Sequence, residues 1–442
     1  MELVLERWPS KILAAALAVA ATSVLSLEVW KHVEADRLAQ EGTVSSLEHA
    51  LRLEPQNAEF YWRLGRAQLF SESGSPAAAV AALDKATRLD PHSGAYWVDL
   101  SQARENAGDI AGAERALDAA RRAEPRTPMM LWQSMSFALR NNQPERALEL
   151  GRELVAVAPP YAARVIPQLS EVAELSTLIE SVLPPDRAAI DDLTAYLCNA
   201  MDPKSTAALW KRVMALGVPP SGFYLQRFLD ALIDRGQGEL AGRVWTDSVK
   251  RGWIGADAEG LAEPLYNGDF RRPMLGFGFD WKVIPQQETS VWVSDEGPQP
   301  GQPCMCADFG AQSRADFYHI SHPVVVEPGD QYLLTAKVRV RHLATRTGAF
   351  LSVSGIGAAG QQSAMTDRVV GTTGWEDVST EFAAGPETHL AQVVLLRPGV
   401  AADQPSASGQ VCLADVQWRR LQIDAVAGKE PARAKGATGV AR

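Results

Sequence analysis

The chain has 442 residues, of which 46% are apolar and 22% charged, with a net charge of −10. That length predicts about two to four globular domains, and the acidic balance excludes nucleic acid as the default partner. Four cysteines in this length exclude a fold held mainly by disulfides.

At the N-terminus, Arg7 and Lys11 precede an uncharged run, residues 12–27 (ILAAALAVAATSVLSL), which Val29 and Trp30 extend past Glu28. The run is long for a signal-peptide core and slightly short for a spanning helix. Trp30 and Lys31 suit the membrane interface. Residues 1–31 are read as an uncleaved single-pass anchor in the inner membrane, with the bulk of the chain periplasmic. Ala18-Val19-Ala20 leaves a cleaved signal peptide as the alternative.

A period follows. Pro91, Pro125 and Pro159 fall 34 residues apart, as do Ala79, Ala113 and Ala147, and Gly74, Gly108 and Asn142. Ala86 and Ala120 share a phase that Leu154 continues. Leu83 and Leu117 share another. The copy GAYWVDLSQARENAGDIAGAERALDAARRAEP (residues 94–125) reads as two helices with Gly108 in the turn. Small Ala residues let the helices approach, Trp97 fills the groove above them, Gly or Asn suits a turn with φ > 0, and Pro stops the second helix. The first copy carries two extra residues around 71–73, and the third replaces a Leu-Gly pair with Ser134-Met135. Upstream, SSLEHALRLEP puts Leu47, Ala50 and Pro55 in the second-helix phase, so the anchor helix is expected to run into a degenerate first unit. Residues 32–159 resemble the tetratricopeptide repeat family. The resemblance implies an α-solenoid whose concave face binds partner proteins.

Residues 160–255 keep helical spacing without clean repeats, over 172–182, 187–201, 204–216, 221–234 and 239–251, and read as further solenoid. Around residues 252–264 the period changes to two. In YLLTAKVRV, Tyr332, Leu334, Ala336, Val338 and Val340 share one face while Lys337 and Arg339 share the other. Residues 349–353 and 390–396 behave alike. Several short alternating strands predict an antiparallel β-sandwich over residues 264–423. The tail, residues 424–442, reads as disordered. The fold class is therefore multidomain α + β: a transmembrane helix, an α-solenoid and a C-terminal sandwich.

Five stretches carry a second resemblance, in order: LYNGDF (265–270), FGFDW (277–281), VVVEPGDQYLLTAKVRV (324–340), GTTGWEDVSTEF (371–382) and GQVCLADVQWRRL (409–421). They resemble carbohydrate-binding modules of the galactose-binding-like jelly-roll type. The resemblance implies a polysaccharide ligand. It also implies a structural calcium held by an acid near the opening motif and by the closing-strand Asp, here Asp269 and Asp415, although Phe270-Arg271-Arg272 lacks the family's usual Glu. The whole arrangement is similar to membrane-anchored bacterial proteins associated with exopolysaccharide production.

Sugar sites use aromatic faces with polar groups beside them. Trp281, Trp292 and Tyr318 are the candidates, and Ser290 and Ser294 on the face of Trp292 argue for its exposure. Trp375 and Tyr332 read as core. Cys304 and Cys306 share one face of a strand, and either can bridge to Cys412 in an oxidising compartment. Cys198 reads as core. GIGAAG (355–360) follows a strand but leads into polar, strand-like sequence, so it is read as a loop and not as a dinucleotide site. His319 and His322 face opposite sides of a strand and cannot share a metal. Asp295-Glu296 and Glu376-Asp377 read as solvated loop acids. No nucleophile turn or HExxH occurs, so no catalytic residue and no cofactor beyond the calcium is assigned, and the reading is a non-enzymatic scaffold. A protein-only scaffold without glycan binding and a glycan-active enzyme on the sandwich are the alternatives.

Overall fold

The computed structural model describes residues 8–71, 74–200, 202–345, 347–357, 362–401 and 408–421. The predicted disordered tail, 424–442, and the last residues of GIGAAG lie outside them. The chain divides into two compact units, Met1–Asp192 and Leu193–Arg442.

The first unit opens with α1 (Trp8–Glu41), a single uninterrupted helix. Its apolar part has mean hydropathy 2.1 and is unburied, so by length and composition it is able to cross a membrane. Its last turns are different. Ala35 and Ala39 are buried against Leu47, Ala50 and Leu51 of α2 (Val44–Leu53). The apolar helix therefore continues as the first helix of a repeat, as the phase of Leu47 and Ala50 predicts. Helices α3 (Ala58–Phe70), α4 (Pro76–Leu89), α5 (Gly94–Asn106), α6 (Ile110–Ala123), α7 (Pro128–Arg140) and α8 (Pro144–Val157) follow as three hairpins.

Local chemistry sets their ends. Asn57, Ser75 and Asp109 accept hydrogen bonds from the first free N–H groups of α3, α4 and α6. Gly108 (φ 82°) and Asn142 (φ 54°) make the turns that the period assigned to them. Ala79, Ala113 and Ala147 are wholly buried at the helix crossings. At Gly65 an added Cβ would lie 2.4 Å from Leu83 Cγ, so only glycine lets α3 and α4 meet there. Short helices α9 (Ala162–Gln168) and α10 (Leu175–Val182) and the first turns of α11 (Arg187–Ala200) complete the unit.

The second unit holds the rest of α11, then α12 (Pro203–Leu216), α13 (Gly222–Asp234), α14 (Gly238–Lys250) and ten strands. The strands are β1 (Lys282–Val283), β2 (Thr289–Ser294), β3 (Cys304–Phe309), β4 (Phe317–Val325), β5 (Gln331–Arg341), β6 (Phe350–Gly355), β7 (Ser363–Met365), β8 (Glu376–Ala383), β9 (Leu390–Arg397) and β10 (Gly409–Arg420). They form two antiparallel sheets, ordered β1-β4-β9-β6-β7 and β2-β3-β10-β5-β8. Inward residues of both sheets, among them Phe309, Phe317, Val338, Leu351, Val393 and Val411, make one shared core. That is a sandwich, and the five predicted inward residues of β5 all lie in its core.

The division at Asp192 falls inside the segment 160–255, which the sequence reads as one solenoid. The reason lies in the apolar faces of the last helices. Trp245 of α14 packs edge-on against Tyr266, Phe277 and Phe279, which lead into the sandwich. Asp230 of α13 holds Lys282 Nζ at 2.6 Å. At Gly238 a Cβ would lie 2.4 Å from the His389 carbonyl, so the start of α14 rests directly on the strand connection.

Candidate functional site

Two surfaces carry exposed chemistry, one in each unit. In the first unit the first helices of successive repeats, α3, α5 and α7, line one face. Trp62 Nε1 donates to Asp99 at 2.6 Å, and the Arg66 guanidinium lies 5.0 Å from the Trp62 ring and 5.6 Å from Phe70. Trp62 also meets Tyr96, with centroids 5.4 Å apart. Burial pushes the Asp99 carboxyl up, against the pull of Trp62 and Arg66. Next to this cluster is a groove of about 280 Å³ lined by Val98, Gln102, Glu105, Gln133, Phe137 and Arg140. Burial tends to raise the Glu105 carboxyl, but bonds from Arg140 and Asn141 outweigh it and hold it low. Phe70 and Met129 stand more than half exposed near the ends of this face. Aromatic, methionine and arginine side chains beside paired charges suit a peptide or protein ligand.

In the second unit the outer face of the β2-β3-β10-β5-β8 sheet is ordered by register. Trp292 pairs with Cys306, Cys306 with Cys412 and Cys412 with Arg339, so these four residues form one row across the sheet. The neighbouring row is Ser290, Asp308, Gln410 and Arg341. The Arg339 guanidinium lies 4.7 Å from the Trp375 ring, and both Arg339 and Arg341 reach Glu296. Lys337 Nζ meets Asp377 at 2.5 Å. Glu296 and Asp377, read from sequence as solvated loop acids, are exposed, and each also carries a basic partner, but Asp377 lies in strand β8 and not in a loop. Arg339, Arg341, Glu296 and Asp308 were missing from the sequence-based candidates. Alternation placed Arg339 off the core face, but only strand register shows what stands beside it.

The three aromatic candidates separate. Trp281 is fully buried, its Nε1 donating to the Asn267 carbonyl and its ring against Phe270 and His322. It is core and offers no face to a sugar. Trp292 is 37% exposed on edge strand β2. Tyr318 is 57% exposed and stacks on His319, but it belongs to β4 in the other sheet. The two exposed rings therefore do not share a sheet face. Trp375, read as core, is half-buried beneath Arg339 on the outer face. Tyr332 is core, stacked on Trp418 at 5.0 Å.

The opening motifs act structurally. Asn267 (φ 57°) and Asp280 are both wholly buried. The Asp280 carboxylate accepts from the backbone of Leu275 and Trp281 and from Asn267 Nδ2, while burial pushes its carboxyl up. His322 lies inside the core with both ring nitrogens near carbonyl oxygens, and burial depresses its pKa to about 4. His319 stacks on Tyr318 and meets Phe317, where a bulge between Phe317 and Ile320 interrupts the alternation of β4.

Asp269 and Asp415 come together, lining one shallow pocket with Glu263, Gly268 and Gln417. Asp415 sits at φ 49° where β10 bulges, and accepts from Gln417 Nε2 at 2.9 Å. The other two acids are occupied. Asp269 faces the Arg271 guanidinium at 3.4 Å and Glu263 the Arg272 guanidinium at 2.8 Å. Calcium wants several free oxygen ligands, so this arrangement, with arginines on two of its three carboxylates, does not fit the ion.

Of the two bridges the sequence allowed, Cys306–Cys412 is formed, between residues directly opposite each other in the ladder. Cys304 and Cys198 are free and buried.

Family models described as tetratricopeptide repeat match residues 44–94 and 70–131. A comparison with curated proteins finds no match. Among solved structures, the chain is similar to MamA, at 14% identity over 39% of this chain and 86% of that one, with a TM-score of 0.26. It is similar to a family 16 carbohydrate-binding module-2, at 16% identity over 36% of this chain and 99% of that one, with a TM-score of 0.26. It is also similar to a mutant O-GlcNAc transferase of Thermobaculum terrenum, at 18% identity over 31% of this chain and 26% of that one, with a TM-score of 0.24. Residues 44–131 thus match tetratricopeptide repeats, and the chain carries a C-terminal two-sheet β-sandwich.

Proposed function

We propose that this protein is a non-enzymatic, membrane-anchored scaffold of the bacterial cell envelope, with a solenoid that holds partner proteins and a sandwich that holds polysaccharide, in exopolysaccharide biosynthesis or export. The observation that carries the reading is the aromatic and arginine face of α3, α5 and α7, built on a repeat array that begins inside the apolar helix itself. Because α1 runs unbroken from its apolar part into Ala35 and Ala39, an uncleaved anchor is favoured over a cleaved signal. Ala35 is then only about 12 Å along the helix axis from Leu27, at 1.5 Å per residue. Partners on the solenoid would meet it close to the bilayer, on the periplasmic side.

The glycan half of the reading rests on Trp292 and the polar groups that share its face. The test is binding of the full chain in detergent to a panel of envelope polysaccharides. Trp292→Ala should weaken binding roughly fivefold to tenfold, the worth of one ring contact, and leave the fold intact. A specific observation favours the second reading, a protein-only scaffold: Trp281 is core and Tyr318 lies on the other sheet, so Trp292 lacks an aromatic companion among the three candidates. Silence across the panel supports that reading. Turnover of a polymer, abolished by changing one carboxylate, would instead support an enzyme.

A further inference from the structure

The bridge between β3 and β10 needs Cys306 and Cys412 alone, yet a third sulfur lies beside it. Cys304 Sγ is 3.8 Å from Cys306 Sγ, and the three sulfurs lie within 4.8 Å of one another. All three cysteines are buried, on the outer face of the sheet, backed by Ala414 and flanked by Trp375. The Arg339 guanidinium closes the fourth side, 3.6 Å from Cys412 Sγ.

These spacings are those of metal ligands. With metal–sulfur bonds of about 2.3 Å, two sulfurs on one ion are ~3.8 Å apart in a tetrahedral site and ~4.0 Å apart in a trigonal one. Cys304 and Cys306 already stand at that separation. Thiolates select soft ions such as Cu(I), zinc or iron–sulfur clusters. Structural zinc and clusters ask for four protein ligands, and a three-ligand zinc keeps an open position for water, whereas the group found among the described residues offers three buried sulfurs. Three thiolates around a monovalent ion carry a charge of about −2, which needs a cation close by when it is buried. Arg339 supplies one.

We propose that Cys304, Cys306 and Cys412 form a redox-gated copper(I) site. In the oxidised chain the Cys306–Cys412 bond ties up two ligands and the site is closed. An external dithiol reduces it: two electrons pass to the bridge, two thiols form, and the reductant becomes a disulfide. Three S–H protons then leave to solvent as three Cu–S bonds form, with no change in the oxidation state of copper. Opening the bridge lets Cys412 move from bonding distance to metal-sharing distance while Arg339 stays over its sulfur. This proposal concerns the buried sulfurs alone and is independent of glycan or partner binding.

The test uses the full chain in detergent, reduced with dithiothreitol, desalted under argon and titrated with Cu(I) against a bicinchoninate competitor. One Cu(I) per chain is expected in the reduced protein, with three sulfurs in its X-ray absorption spectrum, and none in the oxidised protein. Cys304→Ala keeps the bridge and should lower Cu(I) affinity by roughly 100-fold or more, since one of three soft ligands is lost. Cys304→Ser, a near-isosteric change, should do the same and serves if the alanine variant misfolds. Cys198→Ala should change nothing. The proposal is overturned if the reduced chain binds no Cu(I), if the Cys304 variants bind as tightly as the parent, or if the oxidised chain binds equally well.

Discussion

Breaking the Cys306–Cys412 bridge should loosen the sandwich by an amount that the loop length predicts. The two cysteines are separated by 106 residues. On the chain-entropy account, closing a loop of that length removes about 16 cal/mol/K from the unfolded chain, or about 5 kcal/mol at 25 °C. That corresponds to a ~3,000-fold change in the opening equilibrium. Because the chain has two compact units, a single bulk unfolding curve would mix them. Hydrogen exchange of β3 and β10 peptides reads the sandwich by itself. In Cys412→Ala and Cys306→Ala, amides of both strands should lose protection by about three orders of magnitude, up to the limit set by local opening, and solenoid peptides should be unchanged. Cys304→Ala should leave β3 and β10 protected to within about tenfold, since it removes only one buried sulfur. If Cys304→Ala is the variant that deprotects both strands and Cys306→Ala is silent, the bridge is Cys304–Cys412 and the register argument fails. If none of the three matters, the sheet does not rely on a bridge.

Other expectations follow from the same geometry. Trp281→Ala removes a wholly buried indole and its bond to the Asn267 carbonyl. It should destabilise the sandwich by about 3–5 kcal/mol, read by hydrogen exchange of β4 and β9. A loss below about 1 kcal/mol would mean that the ring is not core. His322 should stay neutral in the folded protein down to about pH 4. The unfolded imidazole takes up its proton near pH 6.5, so this residue's contribution to stability is complete above that value. The contribution is lost as pH falls from about 6.5 to about 4, by about 3 kcal/mol in all. His322→Gln should flatten that slope, and a His322 ring that titrates near 6.5 by NMR would disprove it. Gly238→Ala would set a Cβ 2.4 Å from the His389 carbonyl. It should cost roughly 1–3 kcal/mol and raise exchange in α14 and in the β8–β9 connection together. Exchange confined to α14 would mean that the helix does not rest on the sandwich.

Much of the architecture is legible in the chain itself. A 34-residue period of Ala, Gly and Pro describes the solenoid because each position answers a local need: a close crossing, a turn with positive φ, a helix stop. Gly108, Asn142 and Ala79 meet those needs in the fold as they do in the sequence. Alternation in β5 likewise identifies the core face, since side chains on a strand point to opposite sides in turn. Local periodicity cannot say which core a helix joins, so α12–α14 read as solenoid although α14 packs on the sandwich. It also cannot separate an aromatic that fills a core from one that stands on a surface. Trp281 and Trp292 are equally aromatic and equally near turns, and only the closing of the two sheets buries one and exposes the other. The pairing of Cys306 with Cys412 and the meeting of Asp269 with Asp415 are likewise matters of register and of loops meeting across long sequence distances. Contacts of that kind are chosen by the packing of the whole unit, and the sequence alone determines only which residues are available to make them.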